Sequence, residues 1–523
     1  MDVWKAPRTR SRRTSSRRRP GSRHQMIKRS LLVVLAIVLL LAAAVAVNTL
    51  RHGSRQLEVP PAPPLAVDEQ GVAERLSGAI RFQTIASRDD ADANAAEFRK
   101  LHEYLQQRYP KVHGALKREV VGGYSLLYTW PGSDEKAKPV LLMAHQDVVP
   151  ISPGTEDKWE VRPFSGEVKG GYVWGRGSWD DKGNLIAQME AIEMLLASGF
   201  KPRQTIMLAY GHDEEVSGQR GAVQIAKLLQ DRNIKLDFVL DEGLLITDGI
   251  MPGLAKPAAL IGIAEKGFLS VVLKIPATPG HSSMPPPKGT SAIGMMSAAL
   301  RRLDDEQLPA GIRGVAREMF ETAAPEMSGF GRVALSNLWL FGPLVQAQLE
   351  KGASTNAMLR TTTALTVVKA GNAENVIPGM AEATVNFRML PGDTIASVTE
   401  HVKNKAGSER FELIALPGAS EASPVSPTQS SSYQLINRTM RSLFPDVIVA
   451  PGLMVAATDS RHFTGVSDHI YRFSPVRAKP EDLARFHGTN ERIATSNLAE
   501  LVRFYHQLLR NTAAAPATTS TSP

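Results

Sequence analysis

Four segments leave a strand-like apolar run or a glycine-rich turn on acids or histidine. "VLLMAHQDVVP" ends on His145 and Asp147, and "FVLDEG" on Asp241 and Glu242. The run from Ile206 to Ala209 precedes "GHDEEVSG", with Asp213, Glu214 and Glu215 in a row. "GRGSWDDKGN" presents Asp180 and Asp181 ahead of a helical stretch. Adjacent carboxylates repel, and each costs free energy to bury unpaired. A chain that repeatedly ends apolar runs this way needs something to compensate the charge. Helical stretches, such as Ala95 to Tyr109 and Leu185 to Ala197, alternate with these runs. That alternation predicts an α/β sheet with helices on its faces. In such sheets, sites gather beyond the carboxyl ends of the strands.

Late in the chain, "RFHGTNE" adds His487 to the set. His145 and Asp147 are two residues apart, so on an extended chain they point to one side and Asp147 can hold the His145 ring. The chain has no cysteine, which excludes a disulfide framework and thiolate sites. Imidazole and carboxylate together suit Zn²⁺, with Mn²⁺ or Co²⁺ as substitutes. Five such ligands are too many for one tetrahedral zinc and suit two that share a carboxylate. Acids beside two dications no longer repel.

At 523 residues the chain exceeds one ordinary core, and its net charge is +9. Residues 1–29 hold eleven Lys/Arg and one acid, a net of +10, which leaves −1 for residues 30–523. The basicity belongs to a tail, so nucleic acid is not an expected partner. That tail meets 17 uncharged apolar residues, Leu31 to Val47. The reading is a basic cytoplasmic tail (1–29) and a single membrane span acting as signal-anchor (30–50), with the bulk outside the cytoplasm. The alternative is a signal cleaved near Ala44-Val45-Ala46, giving a secreted protein. A Pro-rich spacer (51–67) follows. Catalytic-domain segments are expected over 68–265 and 421–510. Longer β-like runs over 266–420, "FLSVVLKIPA" and "AEATVNFRML", read as an inserted second domain. Residues 511–523 read as a disordered tail.

These segments resemble the di-zinc exopeptidase family that contains aminoacylases, acetylornithine deacetylase and glutamate carboxypeptidases. "VLLMAHQDVVP", "WEVRPFSGEVKGGYVWGRGSWDDKGNL" and "HDEEVSG" are most similar to its Gly-Xaa carboxypeptidase (carboxypeptidase S) branch, which includes N-fatty-acyl-amino-acid synthase/hydrolases. The resemblance spans about residues 70–508, with five motifs in family order. It implies a three-layer α/β/α zinc-peptidase domain carrying a ferredoxin-like α+β lid, with a homodimer through the lid. By the same resemblance Asp180 bridges two zincs, His145 and Asp241 complete one, and Glu215 and His487 complete the other. Glu214 matches the general base and Asp147 the acid behind His145. Asp213, Asp181 and Glu242 are left as structural neighbours.

In the insert, "PGHSSMPP" places His281 where relatives stabilise the tetrahedral intermediate, often across a subunit boundary. Arg388 in "NFRMLPGD" matches a carboxylate-binding position, and Arg461 in "ATDSRHF" is a second candidate. A charged fork suits a terminal carboxylate. The stretch 305–355 is apolar and long; Trp339, Leu340, Phe341 and Leu344 read as lid core, with an acyl pocket as the alternative. The expected activity is hydrolysis of an amide next to a free C-terminal amino acid, in a small peptide or an N-acyl amino acid. An inactive peptidase-fold scaffold is the alternative.

Overall fold

In the computed structural model, Met1 and residues 21–251, 253–407 and 411–513 are described. The basic stretch over 2–20 and the tail over 514–523 lie outside the described residues. The chain divides into two units, Met1–Gly53 and Ser54–Pro523. The first unit holds the helix Gly21–Arg51, of which Gln25–Arg51 is long and apolar enough to cross a membrane.

The second unit is built on an eight-stranded mixed sheet. Its spatial order is Lys117–Val121, Ser125–Trp130, Ile206–Gly211, Val140–His145, Phe238–Thr247, Ile470–Ala478, Ala258–Glu265 and Ile448–Met454. The run "VLLMA" shows why its strands are apolar throughout. Val140, Leu142 and Ala144 join one core with helices Glu69–Ile80, Lys182–Ala197, Ser431–Leu443 and Thr495–Thr512. Leu141 and Met143 join another with helix Ala222–Asp231. Side chains alternate across a strand, so a strand covered on both faces must be apolar at every position. Helices on both faces of the sheet make the expected three layers. Val140–His145, Ile206–Gly211 and Phe238–Leu240 run parallel, so their carboxyl ends open on the same side.

The smaller sheet is antiparallel, in the order Thr362–Ala370, Met380–Met389, Gly267–Pro276 and Glu412–Ala415. Helices Ala292–Asp305 and Ile395–Ala406 pack on it, with Met296, Leu303, Val398 and Val402 in its core. In chain order this is βαββαβ, the ferredoxin-like lid. Alternating burial along Gly267–Pro276 marks one covered face.

Two expectations change. The segment 314–359 does not enter the lid core. Ala316, Met319 and Phe320 pack with Ala258, Ile448 and Ala450 at the edge of the large sheet. Helix Leu338–Leu349 has no buried residue, and Trp339 and Leu344 are 60% and 59% exposed, so these side chains are not lid core. The Pro-rich segment is also not a free spacer. Prolines remove N–H donors but leave carbonyls open. Arg441 Nε donates to Leu57 O at 3.1 Å and Arg503 Nε to Leu65 O at 3.1 Å, while Gln56 exchanges hydrogen bonds with Val449 N and O at 2.7 and 3.0 Å.

Candidate metal centre and active site

Asp180 lies at the centre of the cluster. It sits in the turn before helix Lys182–Ala197, and the Asp180–Asp181 peptide bond is cis. Its Oδ1 meets His145 Nε2 at 2.9 Å and its Oδ2 meets His487 Nε2 at 2.8 Å. The two histidines are therefore joined through one carboxylate. His487 Nε2 also lies 3.3 Å from Glu215 Oε2, and His145 Nε2 lies 3.6 Å from Glu242 Oε1. Two groups result, His145–Asp180–Glu242 and Asp180–Glu215–His487.

Nitrogen and oxygen ligands held at about 2.0–2.2 Å in a tetrahedron stand roughly 3.3–3.6 Å apart. The histidine–carboxylate donor pairs stand 2.8–3.6 Å apart and all donor atoms of each group lie within 4.8 Å of one another, so each group is of a size to surround a dication. Glu215 Oε1 is buried without a hydrogen-bond partner, as a carboxylate held for a ligand would be.

Asp241, expected beside His145, belongs to neither group, and its carboxylate is engaged elsewhere. Its Oδ1 accepts from the Glu242 backbone N–H and its Oδ2 from Ser460 N, each at 2.9 Å. Neighbours on a strand point to opposite sides, so only one of Asp241 and Glu242 reaches His145. It is Glu242.

The remaining residues orient the set. His145 Nδ1 faces Asp147, 2.9 Å from its carbonyl and 3.4 Å from Oδ1. The Asp147 carboxylate also accepts from Glu214 N and Glu215 N at 3.2 and 3.0 Å. It thereby fixes the turn bearing both glutamates. Asp181 Oδ2 accepts from His145 N at 3.2 Å, and Asp213 Oδ2 from Arg220 N at 2.8 Å. These two acids serve the backbone.

Burial pulls the His145 pKa down, but Asp147 and Asp180 outweigh it and hold it well above the imidazole value. His487, against the same pull, is pushed up to about 10 by Asp180 and Glu215. Burial would raise Asp180, and the two histidines reverse it, leaving that carboxyl well below its ordinary value. Burial raises Glu214, Glu215 and Glu242.

Residues 141–511 match the peptidase family M20/M25/M40. The chain belongs to that family. It is 44% identical over 448 residues to an N-fatty-acyl-amino acid synthase/hydrolase of Xenopus tropicalis, covering 85% of this chain and 86% of that one. It is 41% identical over 478 residues to a Dictyostelium discoideum protein named "Probable carboxypeptidase S-like 2", covering 90% and 91%. The fold matches an M20 family metallo-carboxypeptidase of Sulfolobus solfataricus with a TM-score of 0.61 at 19% identity, over 86% of this chain and all of that one. This M20 chain is thus a hydrolase of a metallopeptidase family, and a metal cofactor belongs with it.

Of the two candidate arginines, one is on the lid and one in the large domain. Arg388, on strand Met380–Met389, is half-buried with its guanidinium 4.9 Å from the centre of the Phe268 ring. Arg461 donates to Ser217 O at 3.3 Å, beside the Glu214–Val216 turn. Burial and the neighbouring Arg461 charge lower the Arg388 pKa. Neither arginine forms an ion pair among the described residues. His281 is exposed, its Nδ1 2.8 Å from Ser283 Oγ, and it joins neither metal-type group.

Sequence reading missed two supports. Arg176 and Glu491 form a buried pair behind Asp180, although Glu491 stands only four residues after His487. Asp459 is buried with both oxygens unpartnered. Its carboxylate lies where a side chain on Gly211 or Gly218 would collide, 2.6 and 2.0 Å from the added Cβ.

Proposed function

We propose that this M20 hydrolase binds two zinc ions and cleaves the amide bond next to a free C-terminal amino acid, in a small peptide or an N-acyl amino acid. The observation that carries this reading is the sharing of Asp180 between His145 and His487, each with its own glutamate. His145, Asp180 and Glu242 would hold one ion, and Asp180, Glu215 and His487 the other. Bound there, the ions supply Lewis acidity toward the scissile carbonyl and a water of lowered pKa.

The chain's own residues do the rest. Glu214 takes the proton from the attacking water as its oxygen bonds the carbonyl carbon, and delivers that proton to the departing amine nitrogen as the C–N bond breaks. Asp147 holds the His145 ring through its Nδ1 side. Arg388 and Arg461, two cations without an ion pair among the described residues, would clasp the substrate carboxylate and so select free acids. His281 would donate to the developing oxyanion, reaching a site of the partner copy. The exposed edge strand Thr362–Ala370, bearing Leu365, Val367 and Val368, supports pairing of two lids.

In this reading the helix over Gln25–Arg51 anchors the chain in a membrane, with the basic N-terminal flank cytoplasmic and the hydrolase domain outside. The decisive experiment is Glu214→Gln. The variant is expected to keep two zincs per chain while turnover falls by about 10²–10⁴-fold. Near-normal turnover with both ions bound would remove Glu214 from its role.

A further inference from the structure

We infer that the outer face of helices Gly329–Ser336 and Leu338–Leu349 is a docking surface for the bilayer interface, so that the hydrolase domain rests on the membrane that anchors it. This rests on the anchor reading above. The sequence of the second helix, "LWLFGPLVQAQL", contains no charge, yet none of its residues is buried. Leu338, Val345 and Leu349 lean on the core that holds Met319, Phe320 and Leu335. That leaves Trp339, Pro343 and Leu344 pointing outward. Phe330 of the preceding helix is 61% exposed and packs edge-on against Phe341, ring centres 5.5 Å apart, which extends the patch. Grouped exposed apolar side chains of this size mark an interaction surface. Tryptophan and phenylalanine beside aliphatic residues, with glutamine instead of charge along one helix, suit the boundary between headgroups and acyl chains.

The tether names the occupant. Arg55 Nη2 pairs with Glu321 Oε2 at 3.3 Å, and Gln56 is bonded to Val449. Glu321 lies on helix Gly314–Ala323, which leads through Ala324–Glu326 directly into the apolar helices. Only residues 52–54 separate Arg51, the last residue of the apolar span, from Arg55. Four peptide units reach at most about 14 Å. A span seated in a bilayer would therefore hold the Arg55–Glu321 contact close to the headgroups, and the patch on the following helices with it.

The chain has no cysteine, so single-cysteine variants of the full-length protein each carry one probe. Leu344→Cys reports on the patch, Asp231→Cys on an exposed helix elsewhere, and Leu40→Cys on the span. In vesicles of phosphatidylcholine and phosphatidylglycerol, an environment-sensitive fluorophore at 344 is expected to shift to the blue. Nitroxide-labelled lipid is expected to quench it several-fold more than at 231. Adding Phe330→Ser and Trp339→Ser should abolish that quenching and leave quenching at 40 unchanged. Quenching at 40 without quenching at 344 overturns the docking surface alone. Absence of quenching at both sites overturns the anchor reading, and this inference with it. A probe at 344 that is shielded only as protein concentration rises, without lipid quenching, assigns the patch to a second copy and overturns the inference too.

Discussion

Arg176 and Glu491 form a buried ion pair at 2.6 Å that ties the loops of two candidate metal ligands together. Glu491 Oε1 accepts the backbone N–H groups of Gly177, Trp179 and Asp180 at 3.0, 3.0 and 3.2 Å. Arg176 Nη2 donates to the carbonyls of His487 and Gly488, each at 3.0 Å. One pair thus sets the position of Asp180 and of the His487 backbone, which has φ 55° and no strand or helix to hold it. Removing one partner of a buried pair typically costs about 3–5 kcal/mol, because the other charge is left unpaired. Losing a group that orients metal ligands typically costs about 10–100-fold in metal affinity. Arg176→Met is expected to do both, read by thermal unfolding and by zinc competition against a chelator. Unchanged zinc affinity in the folded variant would limit the pair to stability.

Asp241 and Glu242 are separated by the same metal measurement. Glu242→Ala is expected to lower bound zinc from two toward one per chain and to abolish most turnover. Asp241→Asn keeps an acceptor oxygen toward Glu242 N or Ser460 N and should retain both ions, at a cost on the order of 1–2 kcal/mol in stability for the charge-assisted bond it weakens. Loss of an ion from Asp241→Asn with full occupancy in Glu242→Ala would return the ligand role to Asp241.

That pair also marks the limit of what the sequence discloses. The α/β layers and the presence of an insert follow from local signals, apolar runs of strand length with helical stretches between them, whereas the ferredoxin-like type of the insert and the choice of His145, Asp180, Glu215 and His487 rest on the resemblance to the di-zinc exopeptidases. Which of two consecutive acids faces the cluster depends on the orientation of a strand in its sheet, and nothing in "FVLDEG" encodes it. The Arg176–Glu491 contact joins positions 315 apart in the chain, where no spacing rule reaches. Trp339 and Leu344 read as core because composition reports polarity, not the side of a helix that a neighbour covers.

Arg388 and Arg461 approach from the lid and from the large domain, and they lack acidic partners among the described residues. A half-buried cation left unpaired loses part of its hydration, so a bound carboxylate would relieve both. Each single change to Met should raise KM for free-acid substrates by about 10–100-fold, in line with a charged hydrogen bond of roughly 1.5–3 kcal/mol. Substrates blocked as C-terminal amides should be poor for the native protein and no worse for the variants. Equal cleavage of blocked and free substrates across Gly-Xaa and N-acyl-amino-acid panels would remove the carboxylate-binding role from both residues.

Stability should fall in mild acid for reasons unrelated to the metal centre. Burial pulls His102 and His506 down to about 4. His102 is seated against Gln146, its Nε2 2.7 Å from Oε1. An imidazole whose folded pKa lies below its unfolded value of about 6.5 is protonated first in the unfolded chain. Its contribution is complete above pH 6.5 and is lost as pH falls from 6.5 toward 4. At pH 5 this amounts to on the order of 1–2 kcal/mol for each buried ring. Glu491, pushed up to about 7 by burial, works the other way, gaining stability as pH falls from 7 toward 4.5. The two effects are separated by His102→Gln, which keeps a nitrogen donor toward Gln146 but cannot titrate. Measured as Tm against pH on the zinc-loaded protein, its decline between pH 6.5 and 4.5 should be shallower than that of the native chain. Parallel curves would show that His102 is not a source of the acid sensitivity.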